Sequence, residues 1–300
     1  MKNWFRKNLS ILLRGLGTLL ALGLLIFLIS QNDQQEVLNT LKKISLETLL
    51  YVFLCIVASR MFITARWYVL LRSGGIHISF KETLSLVFMG LFSNNFLPTT
   101  IGGDVVRLAG AIQLGYDNAL CLASIAADRV INMVGMSLAA PLGLWQLLGV
   151  GAIGQSFALG GFIAKGMDFV KKTFSSFSLW LKKPGALVTA LSFAFIHMFF
   201  SFSATYLLIV GLGEHLPLWK VIGLSSLAYF VSLVPISING YGVQELTVTF
   251  LLSNIGGISV PTAASTAVIH RLIMMGVSLP GAFTLPGVLA KMNRKDPQTP

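Results

Sequence analysis

Two arginines define the chemistry to look for. Arg129 falls in SIAADRVINMVGMSL (124–138) and Arg271 in STAVIHRLIMMGVSL (265–279), apolar stretches of helical character. Each lies about eleven residues into its stretch, which is ~16 Å at 1.5 Å per residue. A guanidinium at that depth in a bilayer costs a few kcal/mol on the mildest scale, so it must face protein and meet an anion. That anion is a protein carboxylate, with Asp104 and Glu245 as candidates, or the phosphate of a ligand. Asp128 and His270 directly precede the two arginines. Neighbouring helical residues point about 100° apart, so Asp128 is not expected to pair with Arg129. Proton coupling is one role for Asp128 and His270; hydrogen-bonded packing is the plainer one.

The second source of chemistry is a pair of interruptions, FLPTTIGGDVVR (96–107) and VPISINGYGVQE (234–245). Gly102, Gly103, Gly240 and Gly242 permit tight turns, and N–H groups at the helix starts that follow can bind an anion. Asp104 and Arg107 follow the first interruption; Asn239, Tyr241, Gln244 and Glu245 line the second. Asp104 has an equal claim to be the N-cap of its helix. No Ser/His/Asp or Cys/His arrangement, paired-carboxylate motif or metal-ligand spacing is present, so no catalytic residue, metal or cofactor is expected. Cys55 and Cys121 sit in apolar stretches as packing residues.

What must position these groups is a set of membrane helices. The chain has 300 residues, 55% hydrophobic and 11% charged, with mean hydropathy +0.79. Soluble domains carry roughly 25% charged residues, so this surface cannot all face water. Nearly uncharged runs recur at 15–30, 49–59, 130–164, 187–212, 221–238, 259–269 and 272–290, on the scale of a ~30 Å hydrocarbon core. The chain reads as a single all-α polytopic membrane domain over 1–300. Its N-terminus lacks a small-x-small cleavage site, so the first run is predicted to be a retained helix.

The net charge of +11 collects in short loops and tails, the pattern of the positive-inside rule and not of a nucleic-acid surface. Placing Lys2, Arg6, Lys7, Lys81, Lys165–Lys183 and Lys291 on the cytoplasmic side puts both termini inside. The run 130–164 must then hold two helices, with a turn between 141 and 154. Residues 82–116 must enter and leave by the cytoplasmic face, and 217–256 by the outer face. Arg14 and Arg66 are expected to snorkel, while Arg60 lies deeper, within reach of a lipid headgroup or a tip carbonyl. Residues 165–183, basic and containing Trp180, are predicted to form an interfacial segment on anionic lipid.

The two interruptions align, Pro98, Ile101 and Gly103 with Pro235, Ile238 and Gly240, and so do the two arginine stretches with one gap. Their order predicts two repeats, 46–145 and 185–290, of opposite orientation, each with a re-entrant broken-helix hairpin, plus peripheral helices.

With SNNFLPTTIGGDVVR, Arg66–Trp67, DRVINMVG and PISINGYGVQE together, the sequence resembles the flippase-like, lysylphosphatidylglycerol synthase transmembrane-region family over about residues 10–290. The resemblance implies an inner-membrane protein with inverted repeats and re-entrant hairpins that moves lipids between leaflets. Fused members carry a following aminoacyl-transferase domain. This sequence reaches Pro300 soon after its last predicted helix, so lysine transfer is not expected. Asn239 and Tyr241 stand where small residues are usual, which reshapes the second interruption. The leading expectation is a transporter of an anionic phospholipid or polyprenyl-phosphate-linked lipid. Its headgroup would meet Arg129, Arg271, Arg107, Asp104, Gly102, Gly103, Asn239, Gly240, Gly242, Gln244 and Glu245. The alternatives are an accessory subunit of a lipid pathway and an intramembrane lipid-modifying enzyme. Anionic lipids, a second copy of the chain and a lipid-synthesis enzyme are the partners expected.

Overall fold

The computed structural model describes residues 18–20, 23–24, 26–27, 34–97, 101–149, 180, 182–234 and 237–284. Their helices are α1 (Gln34–Lys43), α2 (Leu46–Gly74), α3 (Phe80–Asn94), α4 (Gly102–Gln113), α5 (Asn118–Gly149), α6 (Pro184–Gly211), α7 (Leu218–Ser232), α8 (Val243–Phe250) and α9 (Val260–Ser278). The described residues between Thr18 and Phe27 are also helical. Four spans are long and apolar enough to cross a membrane: Leu46–Gly74, Asn118–Leu147, Pro184–Gly211 and Val260–Thr284. The chain is an all-helical, multi-pass membrane protein, with no strand among the described residues.

Local signals mark the helix ends. The Ser45 hydroxyl accepts the Thr48 N–H at 3.1 Å to start α2, and Gly75 at φ 102° ends it. Ser79 and Glu82 form a reciprocal capping box on α3. The succession of long helix, 15-residue helix, interruption, short helix and long helix occurs twice, as α2–α5 and α6–α9.

Core clusters sit both where these two sets meet and within each set. Val52 and Ile56 of α2 pack with Ala204 and Leu208 of α6 and Val277 of α9. Trp67 and Leu71 of α2 pack with Leu86, Val87 and Met89 of α3, and Leu224 and Ala228 of α7 with Leu251, Leu252 and Ala263. Cys121 is buried in the first of these clusters and Cys55 is half-buried; both are free thiols.

Three expectations change. The turn expected between 141 and 154 does not fall within 141–149, because α5 runs through Pro141 to Gly149, and 150–154 lie outside the described residues. Proline forfeits one helical hydrogen bond, but a membrane helix tolerates this where neighbours or water satisfy the freed carbonyl. Any second helix of the 130–164 run lies outside the described residues. The loop before Ser45 contains α1. Of the basic segment 165–183, only Trp180, Lys182 and Lys183 are described, and Trp180 does not lie on lipid. It is fully buried, donating its indole N–H to the Leu70 carbonyl at 3.2 Å and the Ser73 hydroxyl at 3.1 Å. Lys183 also donates to the Ser73 carbonyl. The basic anchors before Thr18 and after Thr284, and the tip residues 98–100 and 235–236, lie outside the described residues.

Candidate functional site: an arginine-rich cavity

Arg129 is the twelfth residue of α5 and Arg271 the twelfth of α9, so the two deep cations stand at matching heights in matching helices. Each is met by a carboxylate three residues into the short helix after an interruption. Arg129 donates to Asp104 of α4, and Arg271 to Glu245 of α8. Both pairings were among those the sequence offered. They also match Glu245, and not Tyr241, with Asp104, so the second interruption is four residues longer than a gapless alignment implies.

Asp104 also accepts from Arg107 Nη1 at 3.1 Å. Arg107 lies 3.5 Å from Asp128, its guanidinium 4.0 Å above the Trp67 ring. Asp128 accepts from Arg66 Nε at 2.6 Å, and Arg66 Nη1 donates to Asn132 at 2.8 Å. A continuous chain of charges therefore links α5, α4 and α2. As expected from helical geometry, Asp128 turns away from Arg129. Arg66, however, does not snorkel: it is 4% exposed, pulled inward by a carboxylate. Its place near the end of α2 concealed this, because depth along one helix does not reveal which face meets an acidic partner.

In the second set, Arg271 Nη2 donates to Gln244 at 2.8 Å and its guanidinium lies 5.1 Å above the Tyr241 ring. The Tyr241 hydroxyl donates to the Asn95 carbonyl at 3.2 Å, and Asn95 Nδ2 to the Ser278 hydroxyl at 2.8 Å. Tyr241 thus ties one interruption to the other. Asn239 sits at φ 47°, between Ser237 and Gly240 at φ 74°. Asparagine is among the few side chains that enter this left-handed region readily, which accounts for its place at this bend.

Two of the expected anion-binding N–H groups are engaged by the protein itself. Asn94 Oδ1 takes the Gly103 N–H at 2.6 Å, and Glu245 Oε2 takes the Gly242 N–H at 2.7 Å. Nor does Asp104 cap its helix: the N-cap is Ile101, without a side-chain bond. Gly102 and Gly103 serve packing instead. A Cβ on Gly103 would come 2.4 Å from the Gly90 carbonyl oxygen, and one on Gly102 would come 2.6 Å from Leu97 Cβ.

These elements enclose a cavity of ≈ 410 Å³. On its wall stand Arg60, Arg66, Arg107, Arg129 and Arg271, with Asp104, Asp128 and Glu245. Asn239, Gly240, Gln244 and His270 join them, while Gly102, Gly103 and Gly242 stay off the wall. Sequence reasoning missed His197, whose Nδ1 is 2.6 Å from the Ser59 hydroxyl; its one signal was a histidine inside an apolar run. Among the described residues no three of His, Cys, Asp and Glu converge as a metal site. The volume suits a ligand of moderate size, and the five guanidiniums make the wall net positive.

The geometry defines a helical membrane protein with a charged internal cavity, and comparison with known proteins agrees. The family model described as lysylphosphatidylglycerol synthase TM region matches residues 15–166 and 156–281, and the chain belongs to that family. It is similar to a UPF0104 membrane protein of Pyrococcus horikoshii, at 21% identity over 77% of this chain and 82% of the relative.

Proposed function

We propose that this chain moves a lipid with an anionic phosphate headgroup between the leaflets of the inner membrane. The observation that carries the reading is the cavity, where five arginines from α2, α4, α5 and α9 face one space deep within membrane helices. Headgroup phosphate would enter this space while the acyl chains stay in lipid. The twofold succession of elements is read as two repeats of opposite orientation, whose interruptions are re-entrant hairpins, with both termini cytoplasmic. Rocking of one set against the other would open the cavity to each face in turn.

Transport is favoured over catalysis by the state of the carboxylates. Asp104, Asp128 and Glu245 are each engaged by an arginine of the wall, so the geometry presents no unengaged carboxylate to a substrate.

The test is leaflet exchange in proteoliposomes of fluorescent anionic lipids of each phosphate class: chain-labelled phosphomonoesters and lipid diphosphates beside headgroup-labelled phosphodiesters. Wild type is expected to accelerate exchange, and Arg129→Ala and Arg271→Ala, reconstituted to equal levels and monodisperse, to abolish it. Failure of wild type to move any of several anionic lipids or lipid-linked sugars sinks the proposal.

A further inference from the structure

Charge in the cavity does not balance, and the surplus belongs to particular side chains. Among the described residues of its wall, five arginines stand against three carboxylates, an excess of two positive charges from these side chains. Three arginines each have a carboxylate partner: Arg66 with Asp128, Arg129 with Asp104, Arg271 with Glu245. Arg107 reaches only carboxylates already engaged, and its Nε and Nη2 have no hydrogen-bond partner among the described residues. Arg60 lines the same cavity and forms no ion pair with any described carboxylate. His270 Nε2 is likewise unpartnered. Unneutralised charge is costly in a low-dielectric interior, so Arg60 and Arg107 await a counter-charge.

Resting on the transport reading, we infer that the cavity takes a lipid whose headgroup carries two negative charges, a phosphomonoester or diphosphate, with Arg60 and Arg107 as the cations it neutralises. A monoanionic phosphodiester would leave one guanidinium uncompensated. Arg60 precedes Arg66 by six residues, ~9 Å along α2, and Arg107 stacks on the adjoining Trp67. Both cations line the one cavity, and in this proposal they address different oxygens of one headgroup. Arg129 and Arg271, matched by their own carboxylates, shape the wall.

Two probes of equal chain length separate these cases: dodecyl phosphate, a monoester, and methyl dodecyl phosphate, a diester. Binding to the purified full chain in neutral detergent is measured by calorimetry. The second ionisation of a phosphomonoester lies near 6, so dodecyl phosphate affinity relative to the diester is expected to rise about tenfold between about pH 5 and 7. The facing groups His197, His270, Tyr229, Asp104, Asp128, Glu245 and the five arginines are common to both probes, so taking the ratio cancels most of their titration. Arg60→Gln is expected to weaken dodecyl phosphate about tenfold or more, the scale of one charge-assisted hydrogen bond, and to erase the preference. Arg60→Lys keeps the charge and is expected to retain most of the affinity and the preference.

Inorganic phosphate shares the charge without the chain, and is expected to bind at least about tenfold more weakly because no alkyl surface is buried. Equal affinity for it would overturn the lipid assignment in favour of a free anion. Equal affinity for both esters at every pH, or indifference to Arg60→Gln, would overturn the dianion assignment. Binding requires no leaflet exchange, so a protein that binds dodecyl phosphate selectively but moves no lipid contradicts the transport reading alone.

Discussion

Arg66 and Asp128 show at the residue scale what the cavity demands of its wall. Both are about 4% exposed and separated by 2.6 Å. Removing one partner from such a pair leaves a buried charge and costs about 3–5 kcal/mol, whereas replacing both with apolar groups of similar volume is often neutral. Arg66→Met and Asp128→Leu are each expected to lower the thermal midpoint in detergent strongly, and the double variant to recover much of the loss. Additive losses would show that the pair contributes no coupling. Much of this network was legible beforehand, because an ionised side chain inside an apolar run is conspicuous; Asp104 and Glu245 were even the right partners. Arg66 was not legible, since an arginine near a helix end reads as snorkelling unless the opposing acid is known.

At the scale of elements, close backbone approach and loop clasps hold the wall in place. The α3–α4 contact passes through Gly90 and Gly103, where a Cβ on Gly103 would stand 2.4 Å from a carbonyl oxygen. Gly276, within α9, has nothing within 4 Å of its Cβ position. Gly103→Ala is therefore expected to destabilise by pushing α4 away from α3. Gly276→Ala is expected to stabilise by up to about 1 kcal/mol, the helix-propensity difference. Comparing their melting temperatures checks both signs.

A second clasp joins the α6–α7 loop to α9. Glu214 accepts the Ser259 N–H at 3.0 Å and also the Ser259 hydroxyl. Partial burial opposes its charge, but hydrogen bonds from Ser259 and Thr262 and the nearby Lys43 outweigh that and hold the carboxyl below its ordinary range. A depressed folded pKa stabilises fully above the unfolded value of about 4.3, and that contribution is lost as pH falls through the lower folded value. The thermal midpoint of Glu214→Gln, compared with wild type from neutral pH downward, should therefore lack this acid-side loss.

For the molecule as a whole, hydrophobic run lengths and basic clusters were enough to give the membrane class and the place of the long helices, with the 187–212 run matching Pro184–Gly211 within a few residues. They could not reveal that α5 passes through Pro141, because the fate of a proline depends on what packs around the freed carbonyl. Nor could they reveal that Trp180 is buried, since a tryptophan beside lysines has the same composition on lipid or under a helix. What charge placement does predict is sidedness, and the structure offers exposed positions to read it. His77 and Asn118 bracket α3–α4, and His215 and Asn254 bracket α7–α8; all four are exposed. With Cys55 and Cys121 changed to serine, single cysteines at these positions can be labelled from either face of sealed membranes by an impermeant maleimide. If α3–α4 and α7–α8 are re-entrant and oppositely oriented, His77→Cys and Asn118→Cys react from the cytoplasmic face, and His215→Cys and Asn254→Cys from the outer face. A full crossing between α2 and α5 would instead separate His77 from Asn118. The inverted repeat would then fail, because the two interruptions could no longer face one cavity from opposite sides.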